Sequence, residues 1–67
     1  FLADGVEDEF LFGTGYAAHA DFATKMLVYV AGVLRTATLT KSTTSILFTS
    51  GIPTSGQDIN VVYELAD

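Results

Sequence analysis

VYVAGVLR at residues 28–35 and SILFTSGIPTSGQDINVVY at residues 45–63 are the two stretches of sequence that decide the fold. In both, short runs of β-branched and aromatic residues alternate with glycine, proline, serine and aspartate, a pattern typical of antiparallel strands joined by tight turns. Near the end of the second stretch the alternation is regular and puts Ile59, Val61 and Tyr63 on one face. The sequence therefore predicts an all-β fold, a small antiparallel β-sandwich or meander.

A hairpin is the clearest local prediction. Residues 26–30 and 33–36 have strand character and flank Ala31 and Gly32. A two-residue loop of this kind normally has asparagine or aspartate before the glycine. The residues around Ala31 therefore predict a hairpin, and Ala31 itself is atypical of the turn that would set its register.

The preceding segment is ambiguous. Residues 10–12 (FLF) predict a first strand, which ends at the two glycines of residues 13–15. Residues 16–25 are rich in alanine and include Asp21 as a candidate N-cap, but no helical period persists for three turns. We predict an irregular or short helical insert here.

The chain length limits the domain organisation. Its 67 residues make one β-domain, residues 1–67, in which residues 10–64 form the sandwich. Four of the eight acidic residues lie in residues 1–9, which predicts an acidic N-terminal arm. The arm is either solvated or docked on a basic partner surface.

Sorting the strands by face gives a predicted core and a predicted interface. The core residues are Phe10, Phe12, Val28, Val30, Leu39, Ile46, Phe48, Ile52, Ile59, Val61 and Tyr63. The remaining apolar residues point the other way, which an isolated sandwich does not favour. With the two apolar residues of the arm they form the predicted interface: Phe1, Leu2, Leu11, Leu27, Tyr29, Leu47, Val62 and Leu65.

Composition excludes several function classes. The chain has no cysteine, one histidine, 49% hydrophobic residues and a net charge of −5. Thiolate chemistry and multi-histidine metal sites are therefore excluded, and the three scattered bases do not form the basic stripe that nucleic-acid binding requires. No apolar run is long enough to span a membrane. A small core without disulfides predicts stabilisation by association, as a homo-oligomer in which a trimer is favoured.

No catalytic, cofactor or metal site is predicted. His19 has no nucleophile motif beside it and is interpreted as a polar loop residue. Glu7–Glu9 is interpreted as a solvated acidic run, because paired catalytic carboxylates need a cleft between them. Asp21 with Asp58 lacks the ligand spacing of known calcium loops. We therefore expect a protein that is not an enzyme.

The sequence resembles a family of small β-modules found in bacteriophage tail fibres and related virion appendages. Those modules carry Asp-Gly before a Phe strand, a Val-Tyr-Val-Asn-Gly-Val hairpin, a Thr-Ile-Thr-Phe-Thr strand, a Pro-Gly turn and a final Ile-x-Val-x-Tyr. The corresponding parts here are Asp4-Gly5, Phe10, residues 28–33, residues 45–49, residues 53–56 and Ile59, Val61 and Tyr63. The chain departs from the family at Ala31, where the family has asparagine, and at Thr38 and Leu39, where aspartate and an aromatic residue are usual. It also departs in the insert of residues 16–25.

The resemblance implies a non-enzymatic virion structural protein, either a capsid decoration (cement) protein or a tail-fibre appendage module. Its implied partners are other virion proteins, with no nucleic acid and no membrane, and its implied location is the virion. The alternative is a small carbohydrate-binding module for a host glycan, with Tyr16, Tyr29 and Tyr63 as a stacking platform. A small inhibitor or adaptor domain is a third possibility.

Overall fold

Six short strands and one helical turn make up the fold in a computed structural model that describes residues 1–66. In chain order the elements are β1 (Glu9–Leu11), α1 (Phe22–Lys25), β2 (Leu27–Val30), β3 (Val33–Arg35), β4 (Leu39–Lys41), β5 (Ser45–Phe48) and β6 (Ile59–Val62). The first sheet has the order β1-β5-β4 and the second β3-β2-β6, with every pair antiparallel. The predicted all-β class with one short helical insert is confirmed.

Each sheet contains one hairpin, β4–β5 in the first sheet and β2–β3 in the second. The β2–β3 hairpin closes over Ala31 and Gly32, whose φ angles of 51° and 82° are both positive. Positive φ at both loop positions is the requirement of a type I′ turn, whose twist matches that of the flanking strands. The two-residue loop predicted from the sequence is therefore present, although Ala31 adopts a conformation that alanine disfavours.

Strands distant in sequence complete the sheets. β1 joins the β4–β5 hairpin through β5, with Phe10 opposite Ile46, and β6 joins the other hairpin through β2, with Val61 opposite Val28. The two sheets pack around one hydrophobic core. Its buried residues are Ala3, Phe10, Phe12, Ala18, Met26, Val28, Ile46, Phe48 and Ile59.

The predicted core is correct except at one position. Val30, Leu39, Val61 and Tyr63 are partly buried against the core cluster. Ile52, by contrast, is 41% exposed, because it lies in the loop between β5 and β6 and the neighbouring Pro53 is the buried residue there. Three core residues were not predicted: Ala3, Ala18 and the fully buried Met26.

The N-terminal segment also differs from a free arm. Phe1 exchanges two backbone hydrogen bonds with Ile59, of 2.6 and 2.7 Å, and Ala3 is buried. The Phe1 ring lies 5.3 Å from that of Phe10. Phe1–Ala3 is therefore part of the fold, and the expectation of an arm extending from residue 1 is wrong there. Asp4 to Glu9 remain exposed.

Candidate functional site

The outward side of the second sheet carries exposed apolar side chains. Residues directly opposite in an antiparallel pair share a face, so Leu27 lies beside Val62 and Tyr29 beside Leu34. Val62 is 55%, Leu34 45% and Leu27 38% exposed. We call these four residues the outer apolar face. It has no charged member, and neighbouring Asn60 is polar but neutral.

The eight residues of the predicted interface do not form one surface. Leu27, Tyr29 and Val62 are brought together on the outer apolar face. Leu11 and Leu47 lie on the outward side of the first sheet, Leu11 exposed and Leu47 half-buried. The other three are elsewhere: Phe1 packs its ring on other aromatic residues, Leu2 is exposed opposite Asp58, and Leu65 pairs with Ala18.

Sequence reasoning missed Leu34 as a member of this face. The signal was available in principle, because a two-residue loop around Ala31 and Gly32 fixes the hairpin register and places Leu34 opposite Tyr29. Alanine is atypical before the glycine of such a loop, so Ala31 weakened this signal.

A second feature is a cleft beside β6, of about 330 Å³. Its lining residues are Phe1, Phe12, Tyr16, Asn60, Val61 and Tyr63. The rings of Phe12 and Tyr63 stack with centroids 4.7 Å apart, and the Tyr63 hydroxyl donates a 2.7 Å hydrogen bond to the backbone oxygen of Tyr16. The cleft therefore has a fixed aromatic wall, with Tyr16 as its most exposed ring.

The edge of β6 is open along this cleft. Ile59 is paired with Phe1 at one end, and Leu65 is bridged to Ala18 at the other. Because peptide groups alternate along a strand, the N–H and C=O of Val61 face the same edge as those of Ile59. In the described part of the chain, neither flanking segment hydrogen-bonds to Val61. The cleft therefore combines apolar rings with a backbone donor and acceptor.

The three tyrosines do not form one stacking platform. Tyr16 and Tyr63 line the cleft, whereas Tyr29 alternates onto the opposite side of the second sheet with the outer apolar face. The platform expected for a sugar binder is therefore wrong as a group of three, and only Tyr16 and Tyr63 are neighbours.

A cluster of ionisable residues lies where the turn before α1 meets the end of β6. Asp21 takes the N-cap position of α1 without capping it through its side chain. One carboxylate oxygen instead lies 3.0 Å from Nδ1 of His19, and the other 3.1 Å from Nζ of Lys25. The Lys25 ammonium, helped by His19, holds the pKa of the Asp21 carboxyl below its usual range. The pKa of Lys25 is raised in return, by Asp21 first and by Glu64.

Glu64 completes this cluster. Ligand atoms of His19, Asp21 and Glu64 all lie within 4.8 Å of one another. The structure thus brings Asp21 together with His19 and Glu64, a grouping that was not predicted from the sequence.

The acidic run of the N-terminal segment is organised by the backbone. The Asp4 carboxylate accepts the N–H groups of Val6 and Glu7 at 2.9 and 2.8 Å, and these bonds lower the pKa of Asp4. The Glu9 carboxylate accepts a 3.3 Å hydrogen bond from the Ser45 hydroxyl. The hydrogen bonds of Asp4 stabilise a local turn, and the hydrogen bond of Glu9 joins β1 to β5.

Comparisons with models of protein families, with curated proteins and with solved structures find no significant match. Among residues 1–66, no helix is long and apolar enough to cross a membrane. The functional interpretation therefore depends on the chain's own residues.

Proposed function

We propose that this chain is a non-enzymatic structural module that assembles with other subunits through the outer apolar face of its second sheet. The observation that carries the proposal is the pairing of Leu27 with Val62 and of Tyr29 with Leu34 on one exposed side. Apolar side chains grouped on a sheet surface, without charges among them, are typical of a surface that another protein covers.

Charge supports the same choice. The chain has a net charge of −5, so two copies repel one another wherever acidic surfaces meet. The outer apolar face is neutral, and association there avoids both repulsion and the cost of burying an unpaired charge. We propose a homo-oligomer, with a trimer as the favoured state, as the assembly that covers this face.

A virion is the proposed setting. The sequence resemblance to phage appendage modules suggests this location, with a capsid decoration or tail-fibre role and other virion proteins as partners. An acidic chain suits an exterior position away from packaged nucleic acid.

The test is sedimentation of the whole chain over a range of micromolar concentrations, with Val62→Lys as the variant. A lysine placed in a covered apolar contact costs about 3 kcal/mol or more, which weakens association by about a hundredfold or more. Val6→Lys is the matched control, since Val6 is 81% exposed and lies outside the outer apolar face. A parent chain that stays monomeric, or equal effects of both substitutions, would contradict self-association through this face.

Carbohydrate binding is the second candidate, and the cleft beside β6 favours it. Sugars bind to aromatic rings flanked by hydrogen-bonding groups, and Tyr16, Tyr63 and the open peptide groups of Val61 provide both. Tyr16→Ala is then expected to abolish glycan binding in an NMR titration, while Tyr29→Ala on the opposite side of the sheet leaves it unchanged. Binding that is insensitive to Tyr16→Ala would rule out the cleft.

A further inference from the structure

The backbone holds the segment before α1 against the segment after β6. The N–H of His19 donates a 2.8 Å hydrogen bond to the backbone oxygen of Glu64, and the N–H of Ala66 donates one of the same length to Ala17. Ala18 and Leu65 form a bridge between them. The approach of His19 and Glu64 is therefore fixed by the main chain rather than by the two side chains.

The side chains of this junction form a donor set for a metal ion. His19 offers an imidazole nitrogen, and Asp21 and Glu64 each offer a carboxylate oxygen, all within 4.8 Å of one another. His19 and Asp21 are only partly exposed, at 35% and 28% of their side chains. Ligands on a tetrahedral Zn²⁺ lie roughly 3.4 Å apart at the usual bond lengths of about 2.1 Å. Glu64 is the exposed member of the three, so its side chain has the most freedom to adjust to an ion.

We propose that His19, Asp21 and Glu64 form a three-ligand site for a divalent transition-metal ion of the Zn²⁺ class, with water as the remaining ligand. One imidazole with two carboxylates suits such ions. Calcium and magnesium fit less well, because they require about six oxygen ligands and this site supplies two carboxylates. The site shares no residue with the outer apolar face and does not depend on the function proposed for that face.

The ammonium of Lys25 competes with a bound metal ion for the Asp21 carboxylate. It lies 3.1 Å from one oxygen of Asp21, while the other oxygen of Asp21 faces His19. A bound cation is repelled by this ammonium, so Lys25 weakens metal binding without being a ligand. Removing its charge is therefore expected to strengthen binding by about threefold or more, the size of a surface ion pair.

The experiment is a calorimetric titration of the untagged chain with ZnCl₂ at neutral pH, followed in parallel by two-dimensional NMR. We expect one ion per chain, with the largest shifts at residues 18–22 and 63–66. His19→Ala and Glu64→Gln are each expected to weaken binding by at least about tenfold, the loss found even for groups that only orient a ligand. Lys25→Met is expected to tighten it.

Asp58→Asn is the matched control, because it removes one negative charge at the opposite end of β6 from Glu64 and does not touch the three ligands. It should leave the affinity unchanged, and the NMR spectra of all variants should retain the dispersion of the folded protein. The proposal is overturned if no saturable binding occurs, if His19→Ala and Glu64→Gln bind Zn²⁺ as the parent does, or if Asp58→Asn weakens binding equally.

Discussion

The guanidinium carbon of Arg35 lies 5.0 Å from the centre of the Phe48 ring, so a charged side chain covers one of the largest buried side chains of the core. The same guanidinium donates to the backbone oxygens of Ser50 and Gly51, at 2.6 and 3.0 Å, and to Thr38 Oγ1 at 2.7 Å. Its Nε donates to the backbone oxygen of Ala37. Arg35 thereby joins the end of β3 to the loops on both sides of the β4–β5 hairpin.

We predict that Arg35→Met lowers the free energy of unfolding by about 1–3 kcal/mol, since it removes several charge-assisted hydrogen bonds together with the cation–π contact. Arg35→Lys should recover only part of this, because an ammonium cannot reproduce the planar fork of donors. Urea unfolding followed by circular dichroism measures the three proteins. Equal stability of Arg35→Lys and the parent would show that the charge alone matters.

Gly51 lies against the Arg35 guanidinium, so a substitution at Gly51 provides a second test of the contacts that Arg35 makes. Its φ is +58°, and a Cβ there would lie 2.9 Å from Nη2 of Arg35. Gly51→Ala is therefore expected to destabilise the chain both through backbone strain and by displacing the guanidinium. Combined with Arg35→Met, it should cost less than the sum of the two single changes. Additive losses would place the whole effect in the backbone.

The turn of the β2–β3 hairpin yields a stabilising prediction. Ala31 has φ of 51°, where a Cβ costs about 1–2 kcal/mol and asparagine is better tolerated. Ala31→Asn is expected to raise the free energy of unfolding by about 0.5–1 kcal/mol, as type I′ turns favour Asn-Gly. Ala37→Asn is the control, because among residues 1–66 only Ala31 and Thr38 are non-glycine residues with positive φ. A neutral or destabilising Ala31→Asn would mean that the loop is not a type I′ turn.

Phe48 and Ile52 allow a buried core position to be compared with an exposed position near it in the sequence. Phe48 is 1% exposed and meets Phe10 edge to face at 6.0 Å, so Phe48→Ala should cost about 3–5 kcal/mol. That loss is comparable to the whole stability of a domain this small, and the variant should be unfolded at ambient temperature. Ile52→Ala, at a 41% exposed position, should cost less than about 1 kcal/mol. Thermal unfolding measures both, and similar losses would contradict the packing.

The contrast between Phe48 and Ile52 also indicates what the sequence can and cannot predict. Strand alternation predicted Phe10, Val28, Ile46 and Ile59 correctly, because period two places every second residue in the core. Ile52 has no such period to orient it, since it lies in a loop before Pro53. Ala3 and Ala18 are buried by tertiary packing outside the regular strands, where alternation carries no information. Met26 differs, because the predicted strand of residues 26–30 puts it on the same face as Val28 and Val30, so the signal for its burial was present in the sequence and was missed.

The candidate sites also differ in whether strand alternation or tertiary packing brings their residues together. The pairing of Leu27 with Val62 follows from two strands whose faces were predicted, so the outer apolar face was largely predictable. Arg35 was not, because its partners at residues 37, 38, 50 and 51 are set by how two loops converge. His19 and Glu64 meet through a backbone bridge between segments far apart in sequence, which no spacing rule describes.

The last prediction concerns acid stability. The pKa of the Asp21 carboxyl is lowered, chiefly by its hydrogen bond from Lys25 and further by His19, while hydrogen bonds from the N–H groups of Glu7 and Val6 lower that of Asp4. A carboxyl whose pKa is lower in the folded than in the unfolded chain stabilises the fold above its ordinary pKa of 3.8. This stabilisation is lost as the pH falls from there through the folded value, where the carboxylate takes up its proton.

Asp21→Asn and Asp4→Asn should therefore each flatten the fall in unfolding free energy below about pH 4. Salt distinguishes the two. The contribution of Asp21 depends on the charge of Lys25 and should shrink at about 1 M salt, where the screening length is only about 3 Å, whereas that of Asp4 depends on backbone hydrogen bonds and should persist. Urea unfolding over a series of pH values, at low and high salt, makes the measurement. If the unfolding free energy of Asp21→Asn decreases below about pH 4 as steeply as that of the parent, the Asp21–Lys25 pair does not stabilise the fold.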